Sequence, residues 1–305
     1  LSPLPGSIEA ALRGAQQDGL DRLEAQLLLL HALGREPHQR AWLLAHGQAD
    51  LPAEAARHYR ALTERRLSGE PLAYLIGQRE FYGLRLQIDA RVLDPRSDTE
   101  TLVDWALELL PPGQAASVLD LGTGSGAIAL ALQQQRPEAQ VWALDASLAA
   151  LALARANAER LRLPLRLLHG HWLRDWPTAA GPANPAVPDC AQATPGADHA
   201  PEPPPALLWL IVSNPPYIRA ADPHLAALRH EPQQALVAGP EGLDDLREII
   251  ASALAHLQPG GWLLLEHGWD QAEAVAQLLQ AHGYTAIAHR LDLAGQRRCS
   301  GGQRP

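Results

Sequence analysis

The sequence predicts an α/β protein built on a doubly wound, mostly parallel sheet, preceded by a small N-terminal helical bundle and a β-hairpin linker. Three observations carry this reading. Strand-like and helix-like runs alternate from residue 116 onward, and a glycine-rich turn, Gly122-Thr123-Gly124-Ser125-Gly126, joins the first such strand to the first such helix. Residues 7–68 instead repeat their apolar positions at helical spacing. Strands that alternate with helices specify a parallel sheet covered on both faces.

In the N-terminal stretch Ile8, Ala11 and Leu12 share one helical face, Leu20, Leu23, Leu27 and Leu30 a second, and residues 53–67 supply a further helix. Ser7 and Asp21 stand where helix N-caps are needed, Pro52 stands near a helix start, and Gly34 and Gly47 are placed as C-caps. Between residues 71 and 93 the period shortens towards two, with Phe81, Leu84, Leu86 and Ile88 around Gly83, which predicts a short hairpin. A helix over 99–110 follows, its stripe made by Leu102, Val103, Ala106 and Leu109.

The alternation then runs through strands at 117–121, 140–144, 165–168, 207–212 and 261–266, and helices at 126–135, 147–160, 243–257 and 271–282. Residues 176–205 break the pattern. They are dense in proline and alanine, with Pro203, Pro204 and Pro205 in succession, and read as a mobile surface insertion. The domains expected are 1–77, a hairpin linker over 78–94, and 95–305.

Of 305 residues, 47% are hydrophobic and 19% charged, the balance of a globular protein. The formal net charge of −9 argues against a protein that grips nucleic-acid backbone over its surface. Cys190 and Cys299 are far apart, which predicts no disulfide framework and a reducing cytoplasm. Residues 1–7 lack the pattern of a signal peptide, no apolar run reaches the roughly 20 residues that span a bilayer, and the scattered histidines predict no metal site.

The candidate chemistry begins at Val118-Leu119-Asp120-Leu121, a strand that runs into the glycine turn. Glycine lets a backbone turn sharply and approach a ligand where a Cβ would collide. Gly122, Gly124 and Ala127 also satisfy the dinucleotide fingerprint, so a nicotinamide dinucleotide and another nucleoside cofactor both fit at this point. Asp145 closes the next strand, where a carboxylate accepts ribose hydroxyls in either case, and Asp120 either caps the loop amides or sits near the cofactor.

Asn214-Pro215-Pro216-Tyr217 follows the strand at 207–212 and distinguishes these readings. Two prolines stiffen the segment and donate no amide hydrogens. Asn214 offers a carbonyl acceptor and an NH2 donor, which match a planar amide or the amino edge of a base. Accepting both hydrogens of such a nitrogen, through Asn214 and the Pro215 carbonyl, favours localising its lone pair for attack. Tyr217 supplies an aromatic wall for the planar group.

With these residues in hand the chain resembles the protein-(glutamine-N5) methyltransferases that act on peptide chain release factors. The resemblance extends to Glu70-Pro71-Leu72-Ala73-Tyr74-Leu75-Ile76-Gly77, Arg79-Glu80-Phe81-Tyr82, Pro95-Arg96-Ser97-Asp98-Thr99-Glu100, Glu231-Pro232, Ala235-Leu236, Gly242-Leu243 and Glu266-His267-Gly268. It implies a seven-stranded methyltransferase sheet and S-adenosylmethionine held by Gly122, Thr123, Gly124, Ser125 and Gly126, with Asp145 at the ribose and Trp172 at the adenine. It also implies that Asn214 contacts both methyl donor and substrate, and that the glutamine of a class I release factor lies along Asn214, Pro215, Pro216 and Tyr217.

The sequence departs from the family at His171, where an acidic residue is usual, and at Asp94 and Ser97, where an apolar residue and a proline are usual. Its C-terminal Gly301-Gly302-Gln303 spells the tripeptide that such enzymes modify, which raises chance or a pseudosubstrate tail. Two rival readings are an adenine-N6 methyltransferase of DNA or RNA, disfavoured by the acidic balance, and a noncatalytic cofactor-binding module on the translation machinery.

Overall fold

The structure, a computed structural model, describes residues 4–176 and 203–305. The chain divides into two compact units, Leu1–Gln78 with Ala226–His230, and Arg79–Leu225 with Glu231–Pro305. Most of the expected insertion, residues 177–202, lies outside the described residues.

The smaller unit holds helices α1 (Ile8–Gln17), α2 (Arg22–Ala32), α3 (Arg40–Ala45), α4 (Ala53–Leu67) and α5 (Leu72–Ile76). Ser7 accepts the Ala10 N–H at 3.2 Å and Asp21 accepts those of Leu23 and Glu24 at 2.7 and 3.3 Å. A cap of this kind contributes about 1 kcal/mol. Gly34 closes α2 at φ +65°, and the Arg35 N–H returns to the Leu30 carbonyl at 2.8 Å. Gly47 is not the left-handed cap its position suggested; its carbonyl accepts the Glu9 N–H at 2.8 Å and ties the loop after α3 to α1.

Ile8, Leu28, Leu29, Leu43, Tyr59 and Leu62 form the core of this unit. Each fully buried leucine contributes about 2 kcal/mol. Of the expected face of α2, Leu20 and Leu30 are buried, but the inward side is wider and shifted: Ala25, Leu28 and Leu29 are buried too, and Leu23 is 45% exposed. The helix α5 was also not anticipated, since its five residues fall where the hairpin was expected to begin.

The larger unit contains, from Arg79 on, the hairpin β1 (Gln78–Phe81) and β2 (Leu84–Gln87), then α6 (Glu100–Leu109), β3 (Ser117–Leu121), α7 (Ala127–Gln135), β4 (Gln140–Asp145), α8 (Leu148–Leu161), β5 (Arg166–His169) and β6 (Leu208–Ser213). It continues with α9 (Asp244–His256), β7 (Leu257–Glu266), α10 (Ala272–Ala281), β8 (Thr285–Leu291) and β9 (Arg297–Gln303). Leu84, Leu86 and Ile88 are buried, and Asn157 of α8 accepts the Gln87 N–H at 2.6 Å and donates to its carbonyl at 3.1 Å.

Seven strands form one mixed sheet in the order β5-β4-β3-β6-β7-β9-β8, with β9 antiparallel to both β7 and β8 and the rest parallel. Leu121 pairs with Leu144 on one side and Ser213 on the other, so β3, β4 and β6 end level. The chain runs from β3 outward to β4 and β5, then crosses back to β6 and β7. At such a reversal the connections diverge and leave a crevice beyond the carboxyl ends of the strands.

Strands β8 and β9 were not legible from periodicity. Gly301 and Gly302 lie inside β9, buried and paired with Leu264 and Leu263 of β7, and Gln303 donates to the Gly260 carbonyl at 2.9 Å. A Cβ on Gly301 would stand 2.5 Å from Leu264 Cδ2, and one on Gly302 would stand 2.8 Å from Tyr284 Cβ. The tripeptide is therefore a packed sheet strand whose glycines admit their neighbours, and this contradicts a free pseudosubstrate tail.

Candidate active site

The glycine turn after β3 adopts left-handed backbone at Gly122, Gly124 and Gly126, with φ of +71°, +56° and +83°. Such conformations cost an L-residue roughly 1–2 kcal/mol. The Gly122 and Thr123 N–H groups both donate to the Leu144 carbonyl, at 2.8 and 3.0 Å, which fastens the turn to the end of β4. Asp145 holds its other side, accepting the Gly124 N–H on Oδ2 and the Ser147 N–H on Oδ1, each at 2.8 Å. Burial raises the Asp145 carboxyl, and these two N–H groups oppose the rise.

Beneath the turn Asp120 is fully buried and accepts the Thr123 hydroxyl at 2.7 Å and the Ala129 N–H at 3.3 Å, both on Oδ2. Its Oδ1 has no partner among the described residues. Burial pushes this carboxyl up to about 7, against the pull of its two donors. Asp120 thus acts on the turn rather than from the wall of the site.

A cavity of ≈ 330 Å³ opens against the turn and is lined by Gly122, Thr123, Gly124 and Ser125 but not by Gly126, together with Asp145, Trp172, Asn214 and Pro216. That volume lies within the roughly 300–1,000 Å³ of small-molecule sites. Trp172 forms one wall. Its ring lies so close to the turn that a Cβ on Gly122 would stand 3.2 Å from Cζ3, and its Nε1 donates to Asp245 of α9 at 3.0 Å. Trp172 itself has φ +48°, in the left-handed region that L-residues other than glycine uncommonly adopt. His171 lines the cavity too, its ring 5.6 Å from that of Trp172, while Asp245 supplies an acidic group from a different element.

The end of β6 brings in the other half of the predicted set. Ser213 Oγ donates to the Leu121 carbonyl at 2.7 Å, and Asn214 Nδ2 donates to Thr99 Oγ1 at 3.1 Å. Pro215 is buried outside the lining, and its carbonyl accepts no hydrogen bond among the described residues. Tyr217 also stands outside the lining, with its hydroxyl 3.4 Å from Glu266 Oε1, so it is no wall of this cavity. Burial and the Glu266 charge push its phenol well above the ordinary range.

Glu266, 1% exposed at the end of β7, is raised to about 7 by burial, while the Thr99 hydroxyl, Arg298 and Tyr217 favour its charged form. Nearby, Arg96 pairs with Glu231 and lies 3.7 Å from Asp94, which is itself 3.5 Å from Arg79. Asp94 therefore serves as a second carboxylate between two arginines. Thr99, Asp245 and Glu266 were not among the predicted site residues. Thr99 and Glu266 lay within quoted motifs, whereas Asp245 carried no signal beyond its acidity.

A parallel sheet in this order, with β9 inserted antiparallel beside β7, is the architecture of methyltransferases that use an S-adenosylmethionine-type cofactor, and that is the class of this chain. A family described as the PrmC N-terminal domain matches residues 7–77, and the methyltransferase small domain matches residues 99–180. A release factor glutamine methyltransferase of Xylella fastidiosa is 44% identical over 97% of this chain and 98% of its own length. Another, of Bordetella pertussis, is 46% identical over 93% of this chain and 95% of its own. The solved catalytic domain of hMettl16 shares the fold at 15% identity, with a TM-score of 0.53 over 80% of this chain and 82% of that one. The chain belongs to the release factor glutamine methyltransferase family.

Proposed function

We propose that this protein transfers a methyl group from S-adenosylmethionine to the side-chain amide nitrogen of the glutamine in the Gly-Gly-Gln motif of class I peptide chain release factors. Membership of the family supports the substrate class, and one observation carries the chemistry: Asn214, whose Nδ2 is engaged by Thr99, lines the same cavity as the glycine turn. The cavity fits the cofactor, since the glycine backbone admits close approach, Asp145 keeps acceptor lone pairs beyond its two N–H bonds, and Trp172 presents an indole face.

Gly122, Thr123, Gly124 and Ser125 hold the cofactor, with Gly126 closing the turn behind them, Asp145 at the ribose, Trp172 at the adenine and Asn214 beside the methyl group. S-adenosylmethionine supplies an electrophilic methyl group when bound. Asn214 Oδ1 and the Pro215 carbonyl accept the two hydrogens of the glutamine NH2, which draws its lone pair out of conjugation and aims it. Pro216 stiffens this edge, and Tyr217 braces it from the Glu266 side. Orientation is the main source of rate. The methylated nitrogen then releases one proton to water.

In this reading residues 1–77 recognise the protein partner, the hairpin at 78–94 joins the parts, and residues 95–305 carry out the transfer. Among the described residues no helix is long and apolar enough to cross a membrane, and the reaction belongs to the cytoplasm, where release factors act. Incubation with a release factor and S-adenosylmethionine, followed by peptide mass spectrometry, tests the proposal. A methyl group on the motif glutamine supports it, and a methyl group on any other residue overturns it.

A further inference from the structure

We infer that Asp245 is a cofactor-binding residue that selects a purine carrying a 6-amino group: its Oδ2 accepts a hydrogen from that amino group, while its Oδ1 is held by the Trp172 indole N–H. This rests on the proposed place of the adenine at Trp172.

Trp172 and Asp245 both line the cavity. The indole reaches from the glycine turn, where a Cβ on Gly122 would meet Cζ3 at 3.2 Å, to α9, where Nε1 donates to Asp245 Oδ1 at 3.0 Å. A second tie joins the same two elements. Arg174, two residues beyond Trp172, donates Nε to Glu248 Oε1 at 2.8 Å and Nη2 to Oε2 at 3.0 Å, and Glu248 lies three residues beyond Asp245 on α9. The indole N–H thus occupies one oxygen of a carboxylate carried on a rigid element. The other, Oδ2, has no hydrogen-bond partner among the described residues.

An adenine amino group presents two hydrogens and calls for an acceptor; an ionised carboxylate can only accept. The two other titratable side chains of the cavity wall near the indole do not fill this role. Asp145 accepts the Gly124 and Ser147 N–H groups and stands at the ribose in the proposed reading. His171 has its ring 5.6 Å from that of Trp172 and its Nδ1 3.3 Å from Arg174 Nη2. Arginine only donates, so this Nδ1 accepts and the ring hydrogen sits on Nε2; a doubly protonated ring donates from both nitrogens. In either form Nε2 is a donor. Asp245 is the side chain here whose free oxygen matches the amino group.

Bracing Trp172 and reading the purine are separable. In Asp245→Asn the remaining oxygen can still accept from Trp172 Nε1, and an NH2 then takes the place of Oδ2, so the brace survives and the acceptor is lost.

The test is calorimetric binding of S-adenosylhomocysteine, and of its analogue with hydrogen in place of the 6-amino group, to the wild type, Asp245→Asn and Asp245→Ala, with thermal unfolding of each protein as the check on folding. The wild type is expected to bind the amino ligand at least about tenfold more tightly, the worth of a hydrogen bond to a charged group. Asp245→Asn brings this ratio towards unity by weakening the amino ligand alone. Asp245→Ala removes both oxygens, and its ratio collapses in the same way; it carries the test if the asparagine variant does not fold.

A residue that only braced Trp172 would move both affinities together and leave their ratio as it was. A wild-type ratio below about tenfold, or a ratio that the folded variants leave within about twofold of the wild type's, overturns the inference while the cofactor reading stands. A wild type that binds neither ligand overturns the cofactor reading, and the inference falls with it.

Discussion

Asn214 Nδ2 stands 3.1 Å from Thr99 Oγ1, so the end of β6 and the turn before α6, 115 residues apart in the chain, meet in one hydrogen bond at the cavity wall. The bond occupies the donor side of the Asn214 amide and leaves its oxygen as the acceptor. Asn214→Ala removes that acceptor. It is expected to lower kcat by roughly 10²–10³-fold, the cost of losing one aligned polar group in a transition state. Cofactor affinity, measured by calorimetry, should change far less, because the glycine turn and Asp145 remain. A kcat within a few-fold of wild type would contradict this.

Gly122 combines φ +71° with the Trp172 ring 3.2 Å from where a Cβ would sit. Gly122→Ala therefore meets both backbone strain and a wall that must shift. A loss of about 1–3 kcal/mol of stability is expected, together with weaker S-adenosylmethionine binding. Thermal unfolding and calorimetric titration check the two effects, and an unchanged affinity would separate the turn from the cofactor.

Asp120 gives a pH signature. Its carboxyl is raised to about 7 in the fold, against about 3.9 in an unfolded chain. The folded state thus binds the extra proton between those values. The contribution is complete below the unfolded pKa and is lost as pH rises through 7, with a slope of at most about 1.4 kcal/mol per pH unit. Asp120→Asn keeps an oxygen for Thr123 and Ala129 but cannot titrate. The Tm gap between wild type and variant should shift in the variant's favour from pH 5 to pH 8; parallel Tm curves would refute the assignment.

The Arg96–Glu231 pair joins two segments whose prolines, Pro95 and Pro232, both line the cavity. The Glu231 side chain is 3% exposed and that of Arg96 38%, so the pair is only partly shielded from solvent. Removing one partner of a fully buried pair costs roughly 3–5 kcal/mol, and partial exposure reduces this. Arg96→Ala is expected to destabilise by about 2 kcal/mol and to weaken cofactor binding, as read by denaturant unfolding and titration. A variant as stable as wild type would show that the Asp94 backbone N–H, which donates to Glu231 Oε2 at 3.3 Å, suffices to hold Glu231.

The central strands were legible in the sequence because they are buried on both faces, which demands unbroken apolar runs such as Leu208 to Val212 and Leu263 to Leu265. The last two strands were not. β8 lies at the sheet edge and is mostly half-buried, and β9 carries Cys299, Ser300, Gly301 and Gly302 because Trp105, Leu264 and Tyr284 press directly on its backbone. Small residues chosen for such close contact look like a loop when read along the chain.

The candidate site divides the same way. The glycine turn and Asn-Pro-Pro-Tyr could be read locally, since each depends on its own backbone. The roles of Thr99, Asp245 and Glu266 depend on which elements meet, and no periodicity encodes that. Tyr217 shows the limit from the other side: its ring reads as a wall for the planar target group, and no local pattern announces that its hydroxyl meets the buried carboxylate of Glu266.

The most direct test is parallel transfer of labelled methyl groups from S-adenosylmethionine to a purified release factor, to the same factor with its motif glutamine changed to alanine, and to unmethylated DNA. The account predicts label on the unaltered factor alone. Label on the alanine variant or on DNA would contradict it.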